Sequence, residues 1–428
     1  MSKLGFIPLG SGLVAALGLY ALGATPAFAA DVVEDPVNWT GFHLGVGVGF
    51  GMLDHQVDAH LDDGRNSITA TFDGVAGRHA FPTVEVGFDY QLNANYVAGI
   101  QADTNFQGGS SVLARVGQLV DGSSLLYVVG GWSRDNFVND IDGIETVIPN
   151  DTAANGLTIG GGIETAVSDH LTAKLEYRLT RFGDVPVFSS SYGSVTTSTQ
   201  EQSVRGVISY HFGNVHPYRG EFGSRGWTGL HLGLGAGAGM IDHKIDLSGM
   251  GGSSIPDTFN GIGAKGFLGT AEAGFDYQLS DRFVVGLQGD YTRSNIKSSL
   301  TGIVDIPGLL NPGSIEGHLQ ATDNVSVLGR AGVLSSPHVL WYGLGGWTRT
   351  TYDLGYTLTG FGIGTQSDSI RQSVDGLTFG VGFESMLGQH WSWKSEYRYT
   401  SLNKTDFASS FPVSNSMQSV RSVLSYRF

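Results

Sequence analysis

The chain has 428 residues, with 24 Lys and Arg against 39 Asp and Glu, a formal net charge of −15, 65 Gly and no Cys. The acidic balance, with no basic block, argues against a nucleic-acid surface. The missing cysteines exclude disulfides, thiolate catalysis and cysteine-ligated metal.

The N-terminal segment places Lys3 before an uncharged stretch from Leu4 to Ala24, then Thr25, Pro26, Ala27, Phe28, Ala29 and Ala30. Small residues around Phe28 fit signal-peptidase cleavage after Ala29, so residues 1–29 read as a signal peptide and 30–38 as a periplasmic segment. Later apolar runs are broken by Gly or a charge well before the ~20 residues that a membrane helix requires.

From Trp39 onward the chain alternates polar and apolar residues with the period of a strand. Strands are expected near 40–56, 81–93, 95–107, 112–120, 124–137, 157–168, 170–182 and 202–212, and again near 228–246, 270–280, 282–294, 324–334, 338–352, 376–387, 389–402 and 418–428. Tight turns at Asn93–Asn95, Asp121–Ser124, Ser168–His170, Ser280–Asp281, Ser335–His338 and Gly388–His390 alternate with longer polar connections, of which 294–323 is the longest. Such asymmetry characterises barrels with short periplasmic turns and long outer loops. Aromatic residues at strand ends, among them Trp39, Phe212, Trp227, Trp341, Trp391 and Phe428, suit interfacial girdles.

The chain nearly repeats itself. The stretch from Trp39 to Gly49 returns at Trp227–Gly237, Gly87–Leu92 returns as Gly274–Leu279, and Ser203–Phe212 returns as Ser419–Phe428. These residues resemble the opacity-like, porin-like small outer-membrane surface proteins of alphaproteobacteria: Trp-Thr-Gly-Phe in strand one, Gly-Phe-Asp-Tyr-Gln in strand two, Glu-Tyr-Arg in strand seven and Tyr-Arg-Phe at the end. The resemblance implies an eight-stranded outer-membrane barrel, here twice. It also implies that Tyr426 and Phe428 form the signature read by the barrel-assembly machinery.

The expected fold is therefore an all-β transmembrane β-barrel protein in the cell outer membrane. Its expected form is two tandem eight-stranded antiparallel barrels at 39–212 and 227–428, joined by a periplasmic linker at 213–226; the alternative is one sixteen-stranded barrel. The long linker and the inward glycines of strand one favour the narrow closure. The inward polar residues include Asp89, Gln101, Asp276 and Gln288, and among them an ion-pair cluster is expected: Glu85, Asp103, Arg115, Glu164, Lys174, Glu176, Arg178 and Arg205, then Glu272, Asp290, Arg330, Glu384, Lys394, Glu396, Arg398 and Arg421. Opposite charges in a narrow lumen pair and plug it, because an unpaired charge there is costly.

No catalytic, cofactor or metal residues are assigned. The Gly-rich runs at 45–51 and 233–239 lie within strands, not at a strand-to-helix turn, and lack the Gly-Lys-Ser/Thr of a nucleotide loop. His43 and His231 read as lumen residues, Asp54-His55 and Asp242-His243 as rim residues, and Asp58, Asp62 and Asp63 as solvated loop acids. The expectation is a non-enzymatic structural or surface role. The alternatives are a passive channel for small hydrophilic solutes and, behind it, a lipid-modifying barrel enzyme. Expected partners are outer-membrane lipid, lipopolysaccharide and the assembly machinery.

Overall fold

A computed structural model describes residues 37–136, 153–223, 226–246, 258–306, 310–407 and 411–428. The expected signal peptide lies outside these residues. The described chain is all strand and antiparallel. In the first half the strands are β1 (Gly41–Asp62), β2 (Ser67–Gln91), β3 (Tyr96–Asn105), β4 (Ser110–Val120), β5 (Ser124–Asp135), β6 (Ala154–Ala166), β7 (Leu171–Phe182), β8 (Val185–Ser190) and β9 (Gly193–His211). The second half gives β10 (Gly229–Asp246), β11 (Thr258–Gln278), β12 (Phe283–Ile306), β13 (Leu310–Ser336), β14 (Val339–Gly360), β15 (Gly364–Met386), β16 (Trp391–Leu402), β17 (Thr405–Phe407) and β18 (Phe411–Arg427).

Each expected strand is present, and each expected tight turn joins its two neighbours. The ladders run in order from β1 to β7, β7 pairs with β9, and β9 pairs with β1 from His43–His211 to Leu61–Gly193. In the second half the ladders run from β10 to β16, β16 pairs with β18, and β18 pairs with β10 from His231–Arg427 to Ile245–Val413.

The expectation fails at the outer ends. The stretch 294–323, read from its Gly and Ser content as a loop, is largely the continuation of β12 and β13. There β12 leaves β11 and pairs with β2, from Ser299–Asp73 to Asp305–Ser67. This short ladder joins the two halves into one hydrogen-bonded network. It satisfies the free edge of β2, whose pairing with β3 stops at Thr83–Asn105. The strand β2 itself begins at Ser67, well before the expected residue 81.

Alternation sets the faces. Along β1, Phe42, Leu44, Val46, Val48 and Phe50 are exposed outward while His43 is fully buried. Inward glycine is required by packing: a Cβ at Gly45 would come within 2.6 Å of Ser209 Oγ, and one at Gly233 within 2.6 Å of Ser425 Oγ. The outward residue Leu175 packs in a cluster between the halves with Leu126, Ile163, Val339, Phe383 and Trp393.

Trp39 and Trp227, expected in a girdle, are almost completely buried and close the periplasmic mouths. Trp39 sits among Val97, Leu113, Leu119, Leu125 and the linker residue Val215, and its Nε1 donates to the carbonyl of Gly122 at 3.0 Å. Trp227 repeats this among Val284, Leu328, Leu334 and Leu340, donating to Pro337 at 2.9 Å. Phe212 and Phe428 remain exposed, as a girdle demands. The linker is tied down through Asp169, which accepts from His216 at 2.9 Å and from Arg219 at 2.5 Å; these bonds, that of His216 first, hold its carboxyl below the ordinary range.

Trp39→Ala removes the keystone of one mouth and leaves the other intact. It is expected to cost about 3 kcal/mol, read as a lower urea midpoint of the folded protein in detergent micelles.

Candidate functional site

The inward positions of seven strands, β2 to β7 and β9, converge on a buried network of charge. Parity puts Glu85 and Asp89 on the inner face of β2, Asp103 on β3, Arg115 on β4, Tyr127 on β5, Glu164 on β6, Lys174, Glu176 and Arg178 on β7, and Arg205, Ser209 and His211 on β9. All are less than a tenth exposed. The guanidinium of Arg115 grips Asp89 with Nε and Nη2 and reaches Glu164 with Nη1 at 2.6 Å. Lys174 pairs with Glu85, and Arg178 bridges Glu176 at 2.5 Å and Asp103 at 2.8 Å. Arg205 adds a second bond to Asp103 at 2.7 Å.

The second half repeats the network. Arg330 grips Asp276 and reaches Glu384 at 2.8 Å, and Lys394 pairs with Glu272. Arg398 bridges Asp290 at 2.7 Å and Glu396 at 2.6 Å, and Arg421 reaches Asp290 at 3.1 Å. All sixteen cluster residues named from the sequence thus meet a buried partner of opposite charge. Fork-shaped bonds from arginine satisfy two carboxylates at once, the arrangement that makes buried charge tolerable.

Further members join it. Asp89 and Asp276, expected from the sequence among the inward polar residues, are the carboxylates that Arg115 and Arg330 grip. Tyr127 and Tyr342 donate to Glu176 and Glu396 at 2.8 and 2.6 Å, and each ring lies under the adjacent arginine. Their even position in a strand-five alternation was the available signal, hidden because tyrosine also fits an interfacial belt. His211 and Arg427 occupy matching places, opposite His43 and His231. His211 bonds Glu164 at 2.8 Å, whereas Arg427 reaches both Glu384 and Asp276, at 3.0 and 2.9 Å. The first-half carboxylates Glu85, Asp89, Asp103, Glu164 and Glu176 face Arg115, Lys174, Arg178 and Arg205, with His211 standing where the second half has a fifth permanent cation.

Beyond this layer a ladder of hydroxyls runs along the inner face from strand to neighbouring strand. Thr158 bonds Ser133 at 2.5 Å and Thr180 at 2.8 Å, and Thr348 and Thr378 are joined at 2.6 Å. The rim histidines follow: His55 Nδ1 lies 2.7 Å from Thr199 Oγ1 and His243 Nδ1 lies 2.6 Å from Asn415 Oδ1. The neighbouring acids point the other way, because successive strand residues face opposite sides. Asp54 meets Lys265 and Asp242 meets Arg78, both across the contact between the halves. Asp54-His55 is therefore divided by the pleat. Asp63 shapes the β1–β2 turn, accepting from the backbone amides of Arg65 and Asn66 at 2.9 and 2.7 Å. Among the described residues no group of three or more metal-ligating side chains forms.

Residues 317–428 match a family model described as "Outer membrane protein beta-barrel domain". The 31 kDa outer-membrane immunogenic protein of Brucella melitensis is 27% identical over 214 residues, covering 47% of this chain and 84% of that protein, and its Brucella suis counterpart matches equally. These matches place the chain in the outer membrane, where it is similar to β-barrel proteins. Solved barrels align at low similarity: Ail, the attachment invasion locus protein of Yersinia pestis, at 17% identity over 47% of this chain and 99% of its own, with a TM-score of 0.25. The outer-membrane protease OmpT of Escherichia coli aligns at 11% identity over 94% of this chain and 100% of its own, with a TM-score of 0.19.

Arg178→Leu or Arg398→Leu strands two buried carboxylates and is expected to cost about 3 kcal/mol, measured by urea titration of the micelle-folded protein. His211→Arg is expected to leave that midpoint unchanged or raise it, since Arg427 fills the same place, while His211→Leu lowers it by about 2 kcal/mol.

Proposed function

We propose that the protein is a tandem pair of eight-stranded barrels, each closed about its own ion-pair core, with a structural and surface role in the outer membrane. The observation that carries this reading is the return of β9 to β1 and of β18 to β10 around lumens crossed by paired charges. A single sixteen-stranded closure would need β1 to pair with β18, and no such ladder occurs among the described residues. An eight-stranded barrel has an interior that side chains fill. Arg115, Arg178 and their partners, together with the Trp39 and Trp227 floors, leave no water-filled path in this reading.

Surface presentation is supported by the outer hairpins. Strands β12 to β15 run 22 to 27 residues, more than twice the ~9–11 that cross a bilayer. They carry exposed Ile303, Ile315, Tyr356 and Ile370, with Ile363 exposed in the turn between β14 and β15. Arg349–Asp375 and Arg371–Asp353, both at 2.8 Å, brace the β14–β15 hairpin. The reading includes contact with lipopolysaccharide at this level, recognition of the C-terminal Tyr426 and Phe428 by the assembly machinery, and no catalytic role for the rim histidines.

Planar-bilayer recording of the folded full-length protein tests the role. Silent membranes or small irregular currents are expected. Large uniform steps would instead make it a diffusion channel.

A further inference from the structure

The contact between the halves has an internal symmetry. The β1–β2 and β10–β11 hairpins share one register: Asp54 lies opposite Ala76 and Asp242 opposite Gly263, each followed by a bulge after the next residue, His55 or His243. Two residues beyond Ala76 and Gly263 come the cations Arg78 and Lys265. Asp54 thus corresponds to Asp242, Arg78 to Lys265, and Ala76 to Gly263. Across the contact, Asp54 of the first half bonds Lys265 of the second at 2.6 Å, and Asp242 of the second bonds Arg78 of the first at 2.8 Å. Ala76 and Gly263 meet each other, so closely that a Cβ on Gly263 would stand 2.5 Å from that of Ala76. Near the periplasmic end the same relation returns: Leu126 and Ile163 are paired neighbours on β5 and β6, and they pack against Trp341 and Phe383, paired neighbours on β14 and β15.

In a two-fold contact between identical bodies, residue i touches j while j touches i, and residues on the axis touch their own copies. The halves meet in this way, with the Ala76–Gly263 pair on the axis and the two charge pairs exchanged around it. We propose that this is an isologous interface: each barrel presents a surface complementary to a second copy of itself, and the chain is a covalently joined barrel dimer. The inference rests on the two-barrel reading above. It gives the departures from symmetry a physical reason. Two alanines would collide on the axis, so one position is glycine. The β2–β12 ladder has no counterpart among the described residues, since β3 ends too early to form one.

The cysteine-free chain allows a direct test in the full-length protein in outer membranes. Four paired variants are treated with a short bifunctional thiol reagent, and linked fragments are mapped after unfolding and proteolysis: Ala76→Cys with Gly263→Cys, Asp54→Cys with Lys265→Cys, Arg78→Cys with Asp242→Cys, and Val46→Cys with Ile208→Cys. The last pair lies across the β1–β9 ladder and reports closure alone. All four are expected to link in most chains. If Val46–Ile208 links while only one of the two exchanged pairs does, or neither, the isologous contact is overturned and the two-barrel reading stands. If Val46–Ile208 fails in folded protein, the two-barrel reading itself fails. Should the cysteine variants not fold, charge reversal replaces them. Arg78→Asp and Asp242→Arg should each lower the temperature at which the compact form is lost on gels, and together should restore it, with the same rescue for Asp54→Lys with Lys265→Asp. Absence of rescue at either pair would overturn the proposal.

Discussion

A charge inside a barrel wall has nowhere to go. Packing excludes water from the inner faces and lipid lies beyond the strands, so every inward ion must find its opposite within a few ångströms or lose several kcal/mol of solvation. The rest of the structure follows from that constraint. Arg115 and Arg330 each join two carboxylates from different strands, which fixes the relative rotation of those strands about the barrel axis. The inward glycines of β1 and β10 exist because the partners need their space: Gly45 and Gly233 leave room for Glu85 and Glu272 to lie against the strand. The mouth tryptophans complete the same logic by closing the periplasmic side of the network, and Arg427 stacks directly over Trp227 at 4.8 Å.

Outside the lumen a second set of buried charges lies where the two halves cover it. Asp54 is buried, as is Asp242, and each is neutralised from across the contact. The contact is held at both ends. At the periplasmic end Trp341 donates to Thr165 at 3.1 Å and His338 meets Asp121 at 2.9 Å. At the outer end stand the charge pairs and the β2–β12 ladder. Between them lies a cavity of about 410 Å³ whose lining mixes Gly130, Gly161, Ala238 and Ser422 with Phe267, Phe383 and Trp393. The halves therefore grip at their ends and leave this space between them.

Much of this was legible in the sequence because a strand has a two-residue period and each face has one environment. Lys174, Glu176 and Arg178 announce an inner face among Leu171, Ala173, Leu175 and Tyr177, and all three are buried there. The legibility ends where the environment stops being uniform. Residues 294–323 extend beyond the bilayer, where no lipid enforces alternation, so their Gly and Ser content resembled a loop. Trp39 precedes its strand, and nothing local distinguishes a tryptophan that folds under the barrel from one that sits in the headgroups. Leu175 reads as outward by parity, which is correct for the face and silent about the second half of the chain packed on it. His211 and Arg427 differ in charge at matching places, which disguised a shared role.

The central claim is that each ladder of eight strands closes on itself. Solution NMR of the full-length protein in micelles tests it most directly, through amide contacts between the first and last strands of each half. The account predicts contacts between Val46 and Ile208 and between Leu234 and Leu424, following the observed registers. Contacts running instead from β1 to β18, with none between β1 and β9, would contradict it.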